Sequence, residues 1–460
     1  MNVSWRMIAI GCLFVVPVRA AAEVVDPEEA ATVAADIAEE EAAAERTAAE
    51  SAGPGAEEDD ASDGSVDDEV YEWAALPYAA YSSDYGVLFG AAGGLGSHEG
   101  GVRPYLWRGD LALSASVMEH DGVYEVAQQN HQLGWDFPTL LDGRLRLQPQ
   151  LRFQRTVNQG WFGIGNASVA ALPDEVVGLE ERQRYHQFTY TAPELRLNAR
   201  LPLVDGLSMM VGVHGRYVFI EPWTGSLLER QMNGTADDRD PPLVGARDHG
   251  LILASAGLLW DTRDEETAPT VGMFDEISVR GGIGFDEEYI FAYGGVTAHL
   301  RSYLPLAGEY LVLGTRLLAD ALFGDPPFYE LGRGGAFFPV ELPGGVDGIR
   351  GVPAGRWAGR VKLIGSVELR SIFLDFNLFG KAMNLGADIF FDWGRVWTAQ
   401  DGYSSLDGSG PGLKYGFGGG IYWRWGPSAL FRFELAWSPD ATDANPDLPL
   451  GIYVAFAQAF

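Results

Sequence analysis

The side chains that could do acid–base or metal chemistry here are seven histidines and sixty-four carboxylates, and their spacing supports neither. His98, His120, His131 and His299 are scattered without ligand spacing. No Gly-x-Ser-x-Gly elbow and no His-Glu-x-x-His pair occurs, so no enzyme, metal or cofactor is expected. The acids from Asp59 to Glu69 fit no calcium-loop pattern. Asp237-Asp238-Arg239-Asp240 reads as a solvated loop, with an ion contact as the sharper alternative. What remains is charge at alternate positions. Lys362, Ser366, Glu368 and Arg370 share one parity against Val361, Leu363, Val367 and Leu369, and Asp388 and Asp392 oppose Ala387, Ile389, Phe391 and Trp393. On extended strands each set occupies one face. Acids of two segments would then look toward the same polar side, where a guanidinium could bridge two carboxylates through charge-assisted bonds.

The elements that must position these groups are strands. From about Tyr71 the chain becomes short stretches of period-two alternation parted by Gly, Pro and Asp turns. In Arg144 to Gln154 the even positions are Arg or Gln and the odd ones are Leu, Phe or Pro; the same alternation recurs over Glu194 to Leu201 and Phe431 to Trp437. Alternation alone fits a soluble sandwich as well as a membrane barrel. Strand length favours the barrel, because segments of about 10 to 15 residues suit a tilted membrane crossing better than a soluble strand of about five or six. Aromatics gather near strand ends, as in Tyr422-Trp423-Arg424-Trp425 and Trp393 to Trp397, where interfacial girdles lie. Fifteen strands are expected between residues 84 and 460. Counting back from a C-terminus on the periplasmic side requires one more, within Trp73 to Tyr81. The expectation is therefore an all-β, transmembrane antiparallel barrel of sixteen strands. Its short turns would be periplasmic, and its long loops, at 158–182, 222–248, 324–360 and 398–411, external. The run Gly90-Ala91-Ala92-Gly93-Gly94 in the strand expected over 84–96 would make a sheet edge with little side-chain packing.

The first 70 residues differ in kind. Arg6 followed by the apolar run Met7 to Val16 and the small residues near Ala20 to Ala22 reads as a signal peptide over 1–22. Cys12 lies inside that run, which argues against lipidation; if it leaves with the signal, no cysteine remains to form a disulfide. Residues 23–70 are Ala, Glu and Asp and read as an acidic disordered periplasmic tail. Residues 1–70 carry 3 Arg and 18 acids, and residues 71–460 carry 29 Lys plus Arg and 46 acids, so both parts are negative. Such a balance argues against nucleic acid as a partner.

Several motifs stand in a suggestive order: Asp261-Thr262-Arg263-Asp264 with Pro269-Thr270-Val271-Gly272, then Pro327-Phe328-Tyr329-Glu330, Gly348-Ile349-Arg350-Gly351-Val352, Val367-Glu368-Leu369-Arg370 and Phe391-Asp392-Trp393-Gly394-Arg395-Val396-Trp397. Together with Phe162-Gly163-Ile164-Gly165-Asn166 and the ending Val454 to Phe460, they resemble the bacterial surface antigen family. That family is the barrel domain of BamA/TamA-like outer-membrane assembly factors and of a two-partner secretion pore. The resemblance implies that the 324–360 loop folds into the lumen and that Arg350, beside Gly351, is held by Glu368 and Asp392. It implies a conserved-type turn at Asp261, Arg263, Asp264 and Gly272, and a C-terminal assembly signal at Phe456, Gln458 and Phe460. It also implies outer-membrane lipid and the barrel assembly machinery as partners. Two departures are visible. Val352 stands where the family has an aromatic, and residues 23–70 are too short and acidic for the family's periplasmic polypeptide-transport-associated domains, which a periplasmic partner would have to supply. The functions left open are a pore or insertase for polypeptides, with the first and last strands as a weak seam, and a passive solute channel or structural surface barrel.

Overall fold

The computed structural model describes residues 70–455 apart from 83, 99–104, 121, 177–178, 236–241, 266–267, 379–380, 400–403, 426–428 and 442–449. The expected signal peptide and acidic tail, the Asp237 to Asp240 cluster, and Phe456, Gln458 and Phe460 lie outside the described residues.

Alternation becomes strand over nearly the whole of this range. The wall is β1 (Val70–Ser82), β2 (Gly86–His98), β3 (Trp107–His120), β4 (Val123–Thr139), β5 (Leu145–Gly160), β6 (Gln187–Val204), β7 (Leu207–Pro222), β8 (His249–Asp261), β9 (Gly272–Phe285), β10 (Ile290–Pro305) and β11 (Leu311–Gly324). A two-residue pair, β12 (Arg333–Gly334) and β13 (Val340–Glu341), stands apart from it. The wall then continues through β14 (Val361–Leu378), β15 (Lys381–Trp397), β16 (Lys414–Trp425), β17 (Ala429–Trp437) and β18 (Gly451–Ala455). Every pairing is antiparallel between sequence neighbours, β11 joins β14 across the inserted connection, and β1 meets β18, so sixteen strands close a barrel with no free edge.

The polarity of this wall is inside out relative to a soluble fold. On β9, Ile277, Val279 and Ile283 are 58, 52 and 57% exposed, whereas Glu276, Ser278 and Arg280 on the other face are 0, 2 and 7% exposed. Water on the outside would penalise such an arrangement, and a hydrocarbon surrounding rewards it. The barrel is a transmembrane one. Exposed aromatics stand at strand ends, among them Trp260, Phe285, Tyr415 and Trp437. Connections at one end are short, as at 205–206 and 306–310, and those at the other include 161–186, 223–248 and 325–360.

Three sequence expectations shift. The sixteenth strand exists despite Pro77 and is longer than expected, 70–82. The strand expected from 183 starts at Gln187, because Leu179–Arg184 forms a short helix in the preceding loop. The Gly90 to Gly94 run lies on β2 and not on the strand that meets β18; a Cβ at Gly90 would fall on the Tyr78 ring, so the glycine makes room for a cross-strand aromatic from β1.

Candidate functional site: the Arg350 cluster and the 325–360 connection

Arg350 is 1% exposed, and three wall strands converge on it. Its Nε donates to Asp392 Oδ2 at 2.8 Å and its Nη2 to Asp392 Oδ1 at 3.0 Å, a bidentate fork on β15. Its Nη1 donates to Glu368 on β14 at 3.2 Å and to Glu434 on β17 at 3.0 Å. The backbone amide of Arg350 also donates to Asp392 Oδ2, at 3.1 Å. Burial works against the charge, but Asp392, Glu434 and Glu368 overcome it and hold the proton more firmly than on a free arginine. Arg370 and Arg432 reach Glu368 and Glu434 at 2.7 and 3.2 Å, so three guanidinium groups answer the three carboxylates that Arg350 touches.

Local backbone chemistry makes this approach possible. Gly351 has φ +99, a region that L side chains rarely adopt, and its amide donates to Tyr453 Oη on β18 at 3.0 Å. Gly416 on β16 leaves the space into which the Arg350 carbonyl projects; a Cβ there would collide with that oxygen. Where the resembling family has an aromatic, Val352 is buried with Ile349, Trp357 and Val396. The ring face is supplied instead by Phe390 on β15, whose centroid lies 3.3 Å from the Arg350 guanidinium carbon.

The sequence singled out Arg350, Gly351, Glu368 and Asp392, and the structure brings all four together. It missed Glu434, although the alternation over Phe431 to Trp437 had already put that residue on the polar face; what no pattern shows is which arginine it meets. Two further contacts of the same connection were also missed. Glu330 accepts from Arg216 on β7 at 2.5 Å. Glu276 on β9 accepts from the amides of Ala336 and Phe337, both at 3.3 Å. Contacts of 325–360 thus fall on β7, β9, β14, β15, β17 and β18, all on the polar face of the wall.

The turn residues form a separate unit between β8 and β9. Arg263 Nε donates to Asp261 Oδ1 at 2.9 Å and its guanidinium covers the Phe274 ring at 3.8 Å. Asp264 Oδ1 accepts from the amides of Thr270 and Val271 at 3.0 and 3.2 Å. Gly272, at φ +108, has no room for a Cβ against the Thr262 carbonyl. These contacts shape a turn and bring no reactive group together. Of the histidines, His120 pairs with Glu125 and His131 stacks on Phe153, and among the described residues no group of three His, Cys, Asp or Glu could hold a metal ion.

No family model and no curated protein matches the sequence. Solved structures do match in fold: BamA from Haemophilus ducreyi lacking POTRA domains 1–3 (13% identity, 85% of this chain and 70% of that one, TM-score 0.49). Others are CdiB from Escherichia coli (13%, 84% and 63%, 0.48) and CdiB from Acinetobacter baumannii (11%, 84% and 60%, 0.46). The chain resembles this group of barrels. It spans less than two thirds of the length of either CdiB structure.

Proposed function

We propose that this is an exported barrel of the bacterial outer membrane, plugged by the 325–360 connection through Arg350, that assists insertion or translocation of polypeptides. The observation that carries the plug is a single buried guanidinium shared by carboxylates of β14, β15 and β17. Removing one partner of such a buried cluster costs about 3–5 kcal/mol, because the remaining charges are left in a low-dielectric interior. A lateral seam in this reading lies where the barrel closes between β1 and β18, at Tyr81 with Val454 and Ser82 with Tyr453. A client strand would add at β1 by backbone hydrogen bonding, with no chemical step. Partners in this reading are outer-membrane lipid, the barrel assembly machinery during biogenesis, and a periplasmic protein that supplies transport-associated domains.

A disulfide across the seam tests the reading. With Tyr81→Cys and Val454→Cys joined, vesicles holding the protein should lose any acceleration of the insertion of an unfolded outer-membrane barrel polypeptide, and reduction should restore it. Equal insertion by empty vesicles, wild type and the cross-linked form would contradict it. The second reading, a passive solute channel, is favoured by a cavity of about 330 Å³ between wall and connection.

A further inference from the structure

The cavity between the wall and the 325–360 connection carries an excess of each charge at different places. Several of the charged groups lining it are already paired, Arg196 with Glu194 at 2.9 Å, Arg216 with Glu330 at 2.5 Å and Arg280 with Asp320 at 2.7 Å, and the lining Asp347 has Arg316 as a charged neighbour. Arg152 on β5 has no such pairing: among the described residues its one hydrogen bond runs to Asn130 Oδ1 at 3.3 Å, and no carboxylate pairs with it. Its charged neighbours are Arg196 and Arg333, which repel it, and Glu194, which Arg196 already engages. This corner therefore holds a surplus positive charge.

The opposite surplus sits where the β1–β2 turn meets β13. Asp84 has Glu341 as its charged neighbour, and no lysine or arginine pairs with it among the described residues. Burial first, and then the Glu341 charge, push the Asp84 carboxyl up to about 7 against a pull from the Ala354 amide. Glu341 accepts from Tyr85 Oη at 3.0 Å, and among the described residues its one cationic contact is Arg333 at a loose 3.7 Å. Arg333 in turn donates to Tyr190 Oη at 3.0 Å and lies 4.5 Å over that ring, which fixes it between the two corners. The two excesses thus line one cavity but do not meet. A volume of 330 Å³ is at the small end for a ligand site.

A lone anion would satisfy Arg152 and leave the acids crowded; a lone cation would do the reverse. We propose that the cavity is a binding site for a short zwitterionic peptide, its carboxylate on Arg152 and its terminal ammonium on Asp84 and Glu341. The charges at the two ends of an extended tripeptide are separated by roughly 10 Å, and Arg333, a charged neighbour of Arg152 and a contact of Glu341, relates the two corners. This goes beyond the insertase reading, and the cavity is bordered on one side by the seam residues Tyr81, Ser82, Tyr453 and Val454.

Calorimetry on the refolded full chain in detergent, with trialanine as the probe, tests it. Trialanine should bind saturably. N-acetyl-trialanine, which lacks the ammonium, and trialanine amide, which lacks the carboxylate, should each bind at least tenfold more weakly. Arg152→Gln should weaken trialanine about tenfold and leave trialanine amide unchanged, whereas Arg152→Lys should stay within about threefold of wild type. Glu341→Gln should weaken trialanine and leave N-acetyl-trialanine unchanged. No saturable binding, equal binding of the blocked peptides, or equal losses in Arg152→Gln and Arg152→Lys would overturn the proposal.

Discussion

At the scale of single residues the molecule is governed by what charged groups meet once they are out of water. Arg350 is always charged and planar, so it satisfies Asp392 with both prongs while turning its remaining nitrogen to Glu368 and Glu434. Asp84 shows the contrary case, a carboxyl facing Glu341, Tyr85 and Tyr453, with the Ala354 amide as the favourable contact among the described residues. Its carboxyl in the folded chain sits at about 7 against an ordinary 3.8. The protonated form therefore suits the fold: its contribution is fully present below pH 3.8 and is lost as pH rises through about 7. Asp84→Asn, which cannot ionise, should remove this dependence. Thermal unfolding of both forms across that window should show the mutant's advantage growing toward neutral pH, and parallel curves would show that Asp84 is not held in this way.

At the scale of elements, alternation was the legible signal. A strand whose one parity is mostly polar and whose other is mostly Leu, Phe, Val or Ile has two faces of opposite character; β5, β6, β14 and β17 follow that pattern over much of their length, and β15 does so with Asp388 and Asp392 against Ala387, Ile389, Phe391 and Trp393. The polar face of Glu368, Asp392 and Glu434 was therefore readable, while the convergence of Arg350 on Glu434 was not, because that contact spans 84 residues and depends on where the inserted connection lies against the wall. The stop before β6 was missed because Leu179–Arg184 has the length and composition of either a frayed strand or a short helix. Glycine placement was readable only as composition. Gly416 has a specific task, since the Arg350 carbonyl occupies the place of its side chain, whereas Gly281 on β9 has nothing within 4 Å. Gly416→Ala should loosen the connection and raise protease cleavage within 325–360 several-fold, with Gly281→Ala close to wild type. Equal cleavage in both would show that the close approach at β16 does not hold the connection.

At the scale of the whole molecule, an apolar exterior and a charged interior describe a membrane-embedded barrel, and the segment bonded to the polar face of several wall strands is the plug of the proposed function. Strand number and the polar-inward sense followed from sequence because a closed antiparallel barrel with both termini on one side needs an even count. Which interior charges pair did not follow, since pairing depends on register around the whole ring and on where the inserted connection lies. In the proposed function Arg350 keeps the pore shut. The direct measurement is single-channel conductance of the refolded barrel in planar bilayers, wild type against Arg350→Ala. The wild type should be nearly closed and the mutant should open or flicker, with three buried carboxylates left without their shared partner. The same steady open conductance in both would contradict it.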